Sequence, residues 1–361
     1  MRSQSWSEPC DFAGVRVVSI PTVPKVKGAD AIISSGVGAF IATFLRRYDV
    51  IHIHALGPAL FCWLPFLLSS SKVVVYCHGL DWQRVKWGKL SSTLIRLGEK
   101  LAVRYSDELV VVSQELRRYF WETHARETVY VPNGPAQYAP SDQDFSFGRR
   151  LGLEPGKYMV FLGRLVPEKC PDLLIQAFLQ LKKRGWKLAI VGGNSDTSAF
   201  QDRLSDLAQD DPRVIFTGVL RGRYLAEVIR GAGLFVLPSE VEGLPLAMLE
   251  AMQEGLPIVA SDIPPHQQLL GDERGVMFRS LDLEDCIAKL TWAVEHPDEM
   301  RVMSQKAQSY VRQNYNWERV VGDANRVHFM LLGGASEAAS VTVSPPKGII
   351  TKKSKMSVSQ G

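Results

Sequence analysis

Glu242 and Glu250 flank the stretch GLPLAML, so one carboxylate stands at each end of an apolar run. The preceding LFVLPSE (234–240) reads as a buried strand. Pro245 suits the first position of a helix that runs PLAMLEAMQE and stops at Gly255. Backbone N–H groups near Gly243 and Leu244 then point out of a helix N-terminus, an anion site suited to a phosphate. Glu250 lies roughly 7 Å along the axis from Pro245 at the α-helical rise. A diol such as a ribose fits between that phosphate and the Glu250 carboxylate. Spacing alone allows a plainer account, with Glu242 complementing the helix dipole and Glu250 solvated. The stretch GRLVPEK (163–169) shifts the balance. Arg164 and Lys169 follow another strand, and an arginine fork with a lysine point charge can hold a diphosphate and neutralise a leaving group.

The elements that must position these residues come in two sets. VRVVSI (15–20), DVIHIHAL (49–56), KVVVYCHG (72–79) and ELVVVS (108–113) read as buried strands separated by helical stretches. A second set follows: YMVFLGRL (158–165), KLAIVGG (187–193), RVIFTGVL (213–220), LFVLPSE and LPIVASD (256–262). This βαβ rhythm, sounded twice, predicts two doubly wound parallel-sheet, Rossmann-like domains of α/β class facing a cleft. The expected division is 1–145 with its linker, 146–332, and a disordered tail over 333–361. Residues 132–150 read as the linker. Ligands of such sheets sit beyond the carboxyl ends of the strands. That rule adds His54, His78, Asp81, Ser113, Asn133, Gly192, Gly193, Ser239 and Asp262 to the candidate lining of the cleft.

These stretches resemble the family 4 glycosyltransferases, which have the GT-B fold, over roughly residues 15 to 330. The carriers are HG at 78–79, VPNG at 131–134, GRLVPEK, IVGG at 190–193 and LPSEVEGLPLAMLEAM at 237–252. NWERVV at 316–321 looks like the family's C-terminal helix, which packs back onto the first domain. The resemblance implies sugar transfer with retention from a nucleotide-diphosphate donor to a carbohydrate or lipid-linked acceptor, in polysaccharide or glycoconjugate synthesis. It implies no metal or other cofactor. Arg164 and Lys169 would bind the donor diphosphate and Glu250 the ribose. Glu242 with the Gly243 and Leu244 amides would lie at the donor sugar and phosphate, and His78 at the reacting centre. HGLDWQRVKWGKL (78–90) is similar to bacterial polysaccharide rhamnosyltransferase-like members. The first strand and glycine-rich turn of such a protein are not found before VRVVSI, so the first domain is expected to be truncated. Competing classes are a nucleotide-sugar-binding module without turnover and an epimerase on the same fold.

Bulk properties narrow the rest. The chain has 361 residues, 46% apolar and 22% charged, with a net charge of +4. The tail carries Lys347, Lys352, Lys353 and Lys355 against Glu337, so it holds +3 and leaves +1 for the remainder. That argues against a nucleic-acid binder. The five cysteines (Cys10, Cys62, Cys77, Cys170, Cys286) are scattered and odd in number, as free thiols of a cytoplasmic protein would be. The N-terminus has no signal-peptide core. Uncharged runs at 31–45 and 55–71 are too short for a bilayer span and read as buried helices. Gly36 and Gly38 do not complete a GxGxxG and read as a helix-packing site. The DQD at 142–144 sits in the linker and is not expected to bind metal. His52 and His54 are expected on opposite faces of their strand, which disfavours a metal pair. The basic stretch 82–104, with Trp82 and Trp87 and only Glu99 against its cations, reads as a solvated helix face. The sharper alternative is a peripheral contact with the inner face of the membrane.

Overall fold

A computed structural model of the chain describes residues 2–3, 10–12, 14–21, 29–83, 88–181, 185–193 and 198–333. The tail beyond residue 333, and Arg84, Lys86 and Trp87 of the basic stretch, lie outside the described residues. Four short strands come first, β1 (Arg2–Ser3), β2 (Cys10–Phe12), β3 (Val15–Val17) and β4 (Ile20–Pro21). β1 pairs parallel with β4, and β2 pairs antiparallel with β3. VRVVSI is therefore not one buried strand: it is split between two small ribbons, and Val15 is 62% exposed. Helix α1 (Ala29–Phe40) follows, with Gly36 facing the Phe61 ring. The run 31–45 is not buried as expected. Ile32, Ile33, Phe40, Phe44 and Leu45 are all exposed.

The first large sheet is parallel, in the order β5 (Val50–His54), β6 (Lys72–Cys77), β7 (Glu108–Val111) and β8 (Val129–Tyr130). Its crossovers are α2 (Trp63–Leu68), α3 (Lys89–Arg104) and α4 (Gln114–His124), the last started by Ser113, whose hydroxyl accepts from the Leu116 N–H. The run 132–150 is not wholly linker, because α5 (Ser146–Arg150) forms within it.

The second sheet runs β11 (Val214–Gly218), β10 (Lys187–Val191), β9 (Tyr158–Leu162), β12 (Leu234–Leu237), β13 (Ile258–Ser261) and β14 (Val276–Phe278), all parallel. Its helices are α6 (Pro171–Gln180), α7 (Ser198–Ala208), α8 (Gly222–Arg230), α9 (Leu246–Gln253), α10 (Pro264–Leu270), α11 (Leu283–Glu295) and α12 (Pro297–Asn314). Taken in chain order the strands read 3-2-1-4-5-6. The winding direction reverses between β9 and β12, and a crevice opens there beyond the strand ends. Finally α13 (Trp317–Leu331) returns to the first sheet, where Val320 and Val327 bury against Val74, Tyr76 and Val110.

The same face of the first sheet carries both His52 and His54. Residues two apart on a strand share a face, so the expectation of opposite faces is corrected. Tyr76 of the neighbouring strand stacks on both, 5.3 Å from His52 and 4.8 Å from His54, and His52 Nε2 meets His328 Nε2 of α13 at 2.7 Å. Burial and these neighbouring histidines hold the His52 pKa down to about 4.

Candidate active site

The loop after β9 bends at Gly163 and closes as a short 3-10 turn, Pro167–Lys169, ended by Cys170 with φ +48°. The loop after β12 runs through Pro238 to Pro245. These two loops sit on either side of the reversal point and are tied together where the Glu240 N–H donates to Glu168 O at 3.0 Å. Lys169 Nζ forms a short ion pair with Glu242, with both side chains largely buried. Arg164 Nη2 lies 3.9 Å from Glu168 Oε1. Glu168 was not singled out in the sequence. It is 4% exposed, neither carboxylate oxygen has a hydrogen-bond partner, and it lines the cleft. A carboxylate so placed attracts the Arg164 guanidinium and restrains its fork.

Across the cleft the first domain supplies Gly79, Leu80, Gln83, Glu115 and Tyr119. The domains come close together at Gly243. A Cβ there would lie 2.2 Å from His78 O, and Gly79 is its other neighbour. Leu244 packs against both domain cores. The His78 imidazole stacks on His54, with His54 Nδ1 3.1 Å from His78 Nε2. Burial lowers the His78 pKa, so the ring is neutral at pH 7. One of the two nitrogens in contact must then carry the proton.

Helix α9 begins at Leu246, with Pro245 as its cap residue rather than its first helical residue. Gly243 and Leu244 therefore stand just ahead of the helix. Glu250 lies inside it, half-buried, with its pKa raised by desolvation. Tyr138 of the linker donates to Glu250 Oε2 at 2.8 Å.

The structure thus gathers Arg164, Lys169, Glu242, Gly243 and the His78 backbone at one place, with Leu244 and Glu250 adjoining. Ser239 is fully buried at the end of β12, its carbonyl accepting from Ser261 Oγ. Gly192 is packed so tightly that a Cβ would meet Gly163 O at 1.8 Å. Asn133 precedes Gly134, which lies against the Trp317 ring.

Glu99 does not balance the exposed cations of its helix. It is buried and accepts from Trp82 Nε1 and Tyr119 Oη at 2.8 Å each, with His124 Nε2 at 2.8 Å. Lys89, Arg96, Lys100 and Arg104 stay exposed on α3. The four cysteines Cys62, Cys77, Cys170 and Cys286 are free and buried. Among the described residues no group of three His, Cys, Asp or Glu is gathered as metal ligands would be, and no helix is long and apolar enough to cross a membrane.

Beneath the Lys169–Glu242 pair lies His266, fully buried, with Nδ1 2.9 Å from Ser261 O. Burial pushes its pKa down to about 4. The unfolded chain takes up this proton near pH 6.5, so the stability present at neutral pH is lost as the pH falls from there toward about 4. Between about pH 7 and 4.5 this residue is expected to cost about 2 kcal/mol of unfolding free energy. Urea titrations at the two pH values check it: His266→Gln should flatten the loss, and an equal loss in the variant would place the acid sensitivity elsewhere.

Two family models match the chain. Residues 2–134 match "Glycosyl transferase 4-like domain" and residues 143–310 match "Glycosyl transferases group 1". A D-inositol 3-phosphate glycosyltransferase of Rhodococcus erythropolis is 28% identical over 333 residues, 84% of this chain and 75% of that protein. Against some other curated relatives the chain spans about half of their length. Among solved structures, sucrose-phosphate synthase from Thermosynechococcus elongatus superposes with a TM-score of 0.78 at 20% identity, covering 91% of this chain and 86% of that one. Anabaena HepE in complex with UDP and glucose gives 0.74 at 18%, covering 89% and 87%.

Proposed function

Because the chain belongs to the family 4 glycosyltransferases with the GT-B fold, we propose that it transfers a sugar from a nucleoside-diphosphate sugar to a carbohydrate or lipid-linked acceptor with retention. The product class is a polysaccharide or glycoconjugate. The observation that carries this reading is the convergence of Arg164, Lys169 and the Gly243–Leu244 loop at the β9/β12 reversal, with Glu250 in the helix that follows the loop. HepE, of the same fold, is seen with UDP and with UDP-glucose, which supports a nucleotide donor.

In this reading the donor diphosphate lies between the Arg164 fork and Lys169. Lys169, paired with Glu242, exchanges that carboxylate for a phosphate oxygen when the donor binds. Both cations stabilise the charge that grows on the departing diphosphate, at a place where it costs no reorganisation. His78 and the released Glu242 orient the sugar, and Glu250 accepts from the ribose hydroxyls. No metal is assigned a part. The acceptor enters along Leu80, Gln83, Glu115 and Tyr119. The exposed cations of α3 would favour an anionic membrane surface if the acceptor is lipid-linked.

Mass spectrometry of products from a panel of nucleotide sugars tests the reaction. A glycosylated acceptor is expected; an isomerised donor, or no turnover with any acceptor class, would overturn it. For the ribose assignment, Glu250→Ala should weaken nucleoside-diphosphate binding by about 1–3 kcal/mol. Calorimetry measures this, and equal affinity in the variant would remove Glu250 from the site.

A further inference from the structure

The linker between the domains holds the carboxylate assigned to the ribose. Tyr138 and Glu250 are 112 positions apart, yet the phenol donates to Oε2 at 2.8 Å. The linker is itself pinned to the second domain. Arg230 Nη1 donates to Ala139 O at 2.8 Å and to Ser141 Oγ at 3.0 Å, while its Nε donates to Glu254 Oε2 at 2.7 Å. Gln253 Nε2 donates to Ala136 O at 3.3 Å. The Tyr138 ring packs on the second domain's core. Its hydroxyl is therefore fixed relative to α9.

We propose that Tyr138 is a positioning residue for the nucleotide: its hydroxyl, together with the Ala136 backbone, anchors the Glu250 carboxylate and leaves its remaining lone pairs to the 2′,3′-diol of a bound nucleoside diphosphate. The proposal rests on the reading of Glu250 as the ribose carboxylate. Its physical basis is twofold. A glutamate has several rotatable bonds, and a second anchor removes freedom that the nucleotide would otherwise have to remove on binding. A donated hydrogen bond also favours the charged form of a carboxylate that burial tends to protonate, and the charged form is the better acceptor for two hydroxyls. The assignment makes the linker part of the donor site as well as a connection between domains.

A merely structural phenol would affect all ligands alike, whereas a positioning phenol should matter only when the ribose offers its diol. The test uses the full chain and whichever of UDP, GDP, ADP or CDP it binds most tightly, together with the 2′-deoxy counterpart. Affinities are measured for wild type, Tyr138→Phe and Glu250→Ala, with thermal melts to confirm folding. Wild type is expected to prefer the ribonucleotide by about tenfold or more, the worth of hydrogen bonds to a charged group. Glu250→Ala should abolish that preference. Tyr138→Phe should cut it to about threefold or less while leaving the 2′-deoxy affinity within about twofold. Equal weakening of both ligands by Tyr138→Phe, or no change in either, would overturn the role of Tyr138 and leave Glu250 standing. Absence of any ribose preference in wild type, with Glu250→Ala unchanged, would overturn the Glu250 reading and this one with it.

Discussion

Lys169→Met is expected to lower sugar transfer by about 10²–10³-fold, the cost of removing one preorganised charge from a developing anion. It should also destabilise the fold by roughly 3–5 kcal/mol, because Glu242 would be left buried without its partner. The two effects have different origins and can be separated. Lys169→Met combined with Glu242→Gln removes both charges, so most of the stability should return. Transfer should not return, since the diphosphate still lacks its lysine. Denaturant titration gives the first quantity and initial rates give the second. Recovery of activity in the double variant would mean that Lys169 serves only to neutralise Glu242 and has no part in leaving-group stabilisation.

Gly243→Ala should be as damaging by a different route. The added methyl would stand 2.2 Å from the His78 carbonyl oxygen, and the atom it meets is backbone, which cannot rotate away. The β12 loop must then retreat from the first domain. A displacement of about 1 Å between reacting groups can cost about a hundredfold in rate, so transfer should fall by about that factor. Nucleoside-diphosphate binding should change much less, because Arg164, Lys169 and Glu250 all belong to the second domain. The expected signature is a collapse of turnover with the nucleotide affinity nearly kept. Loss of both together would instead place the nucleotide across the domain gap. Unchanged turnover would mean that the Gly243–His78 approach plays no part in the reaction.

The donor-side arrangement was legible early because it is built from local sequence. In each case a strand ends, a loop carries the charged residues and a helix follows, all within about ten residues. The period of the apolar runs identifies the strands, and the rule that ligands sit beyond their carboxyl ends locates the loops. Arg164, Lys169 and Glu242 could be placed near one another on that basis alone. The short strand β14 leaves no signal in the sequence, because three residues are too few to show a period. VRVVSI misled for the opposite reason: a Val/Ile-rich run shows a preference for extended backbone, not which strand will pair with it.

What the chain order alone determined was two α/β domains with doubly wound sheets, and the set of charged groups at the strand ends of the second; the order of its strands, and so the point of reversal, came from their pairing. Only the tertiary structure decided the pairings among distant groups. Tyr138 reaches Glu250 over 112 residues, His52 meets His328 over 276, and Gly243 comes against His78. Likewise, whether Ser239 faces the cleft or the core, or whether Glu99 balances a surface or anchors Trp82 and Tyr119, depends on what packs above each residue. The physical reason is that backbone preferences and apolar periods are set by near neighbours, while burial, desolvation and the partner of each polar group are set by whichever surfaces close over it.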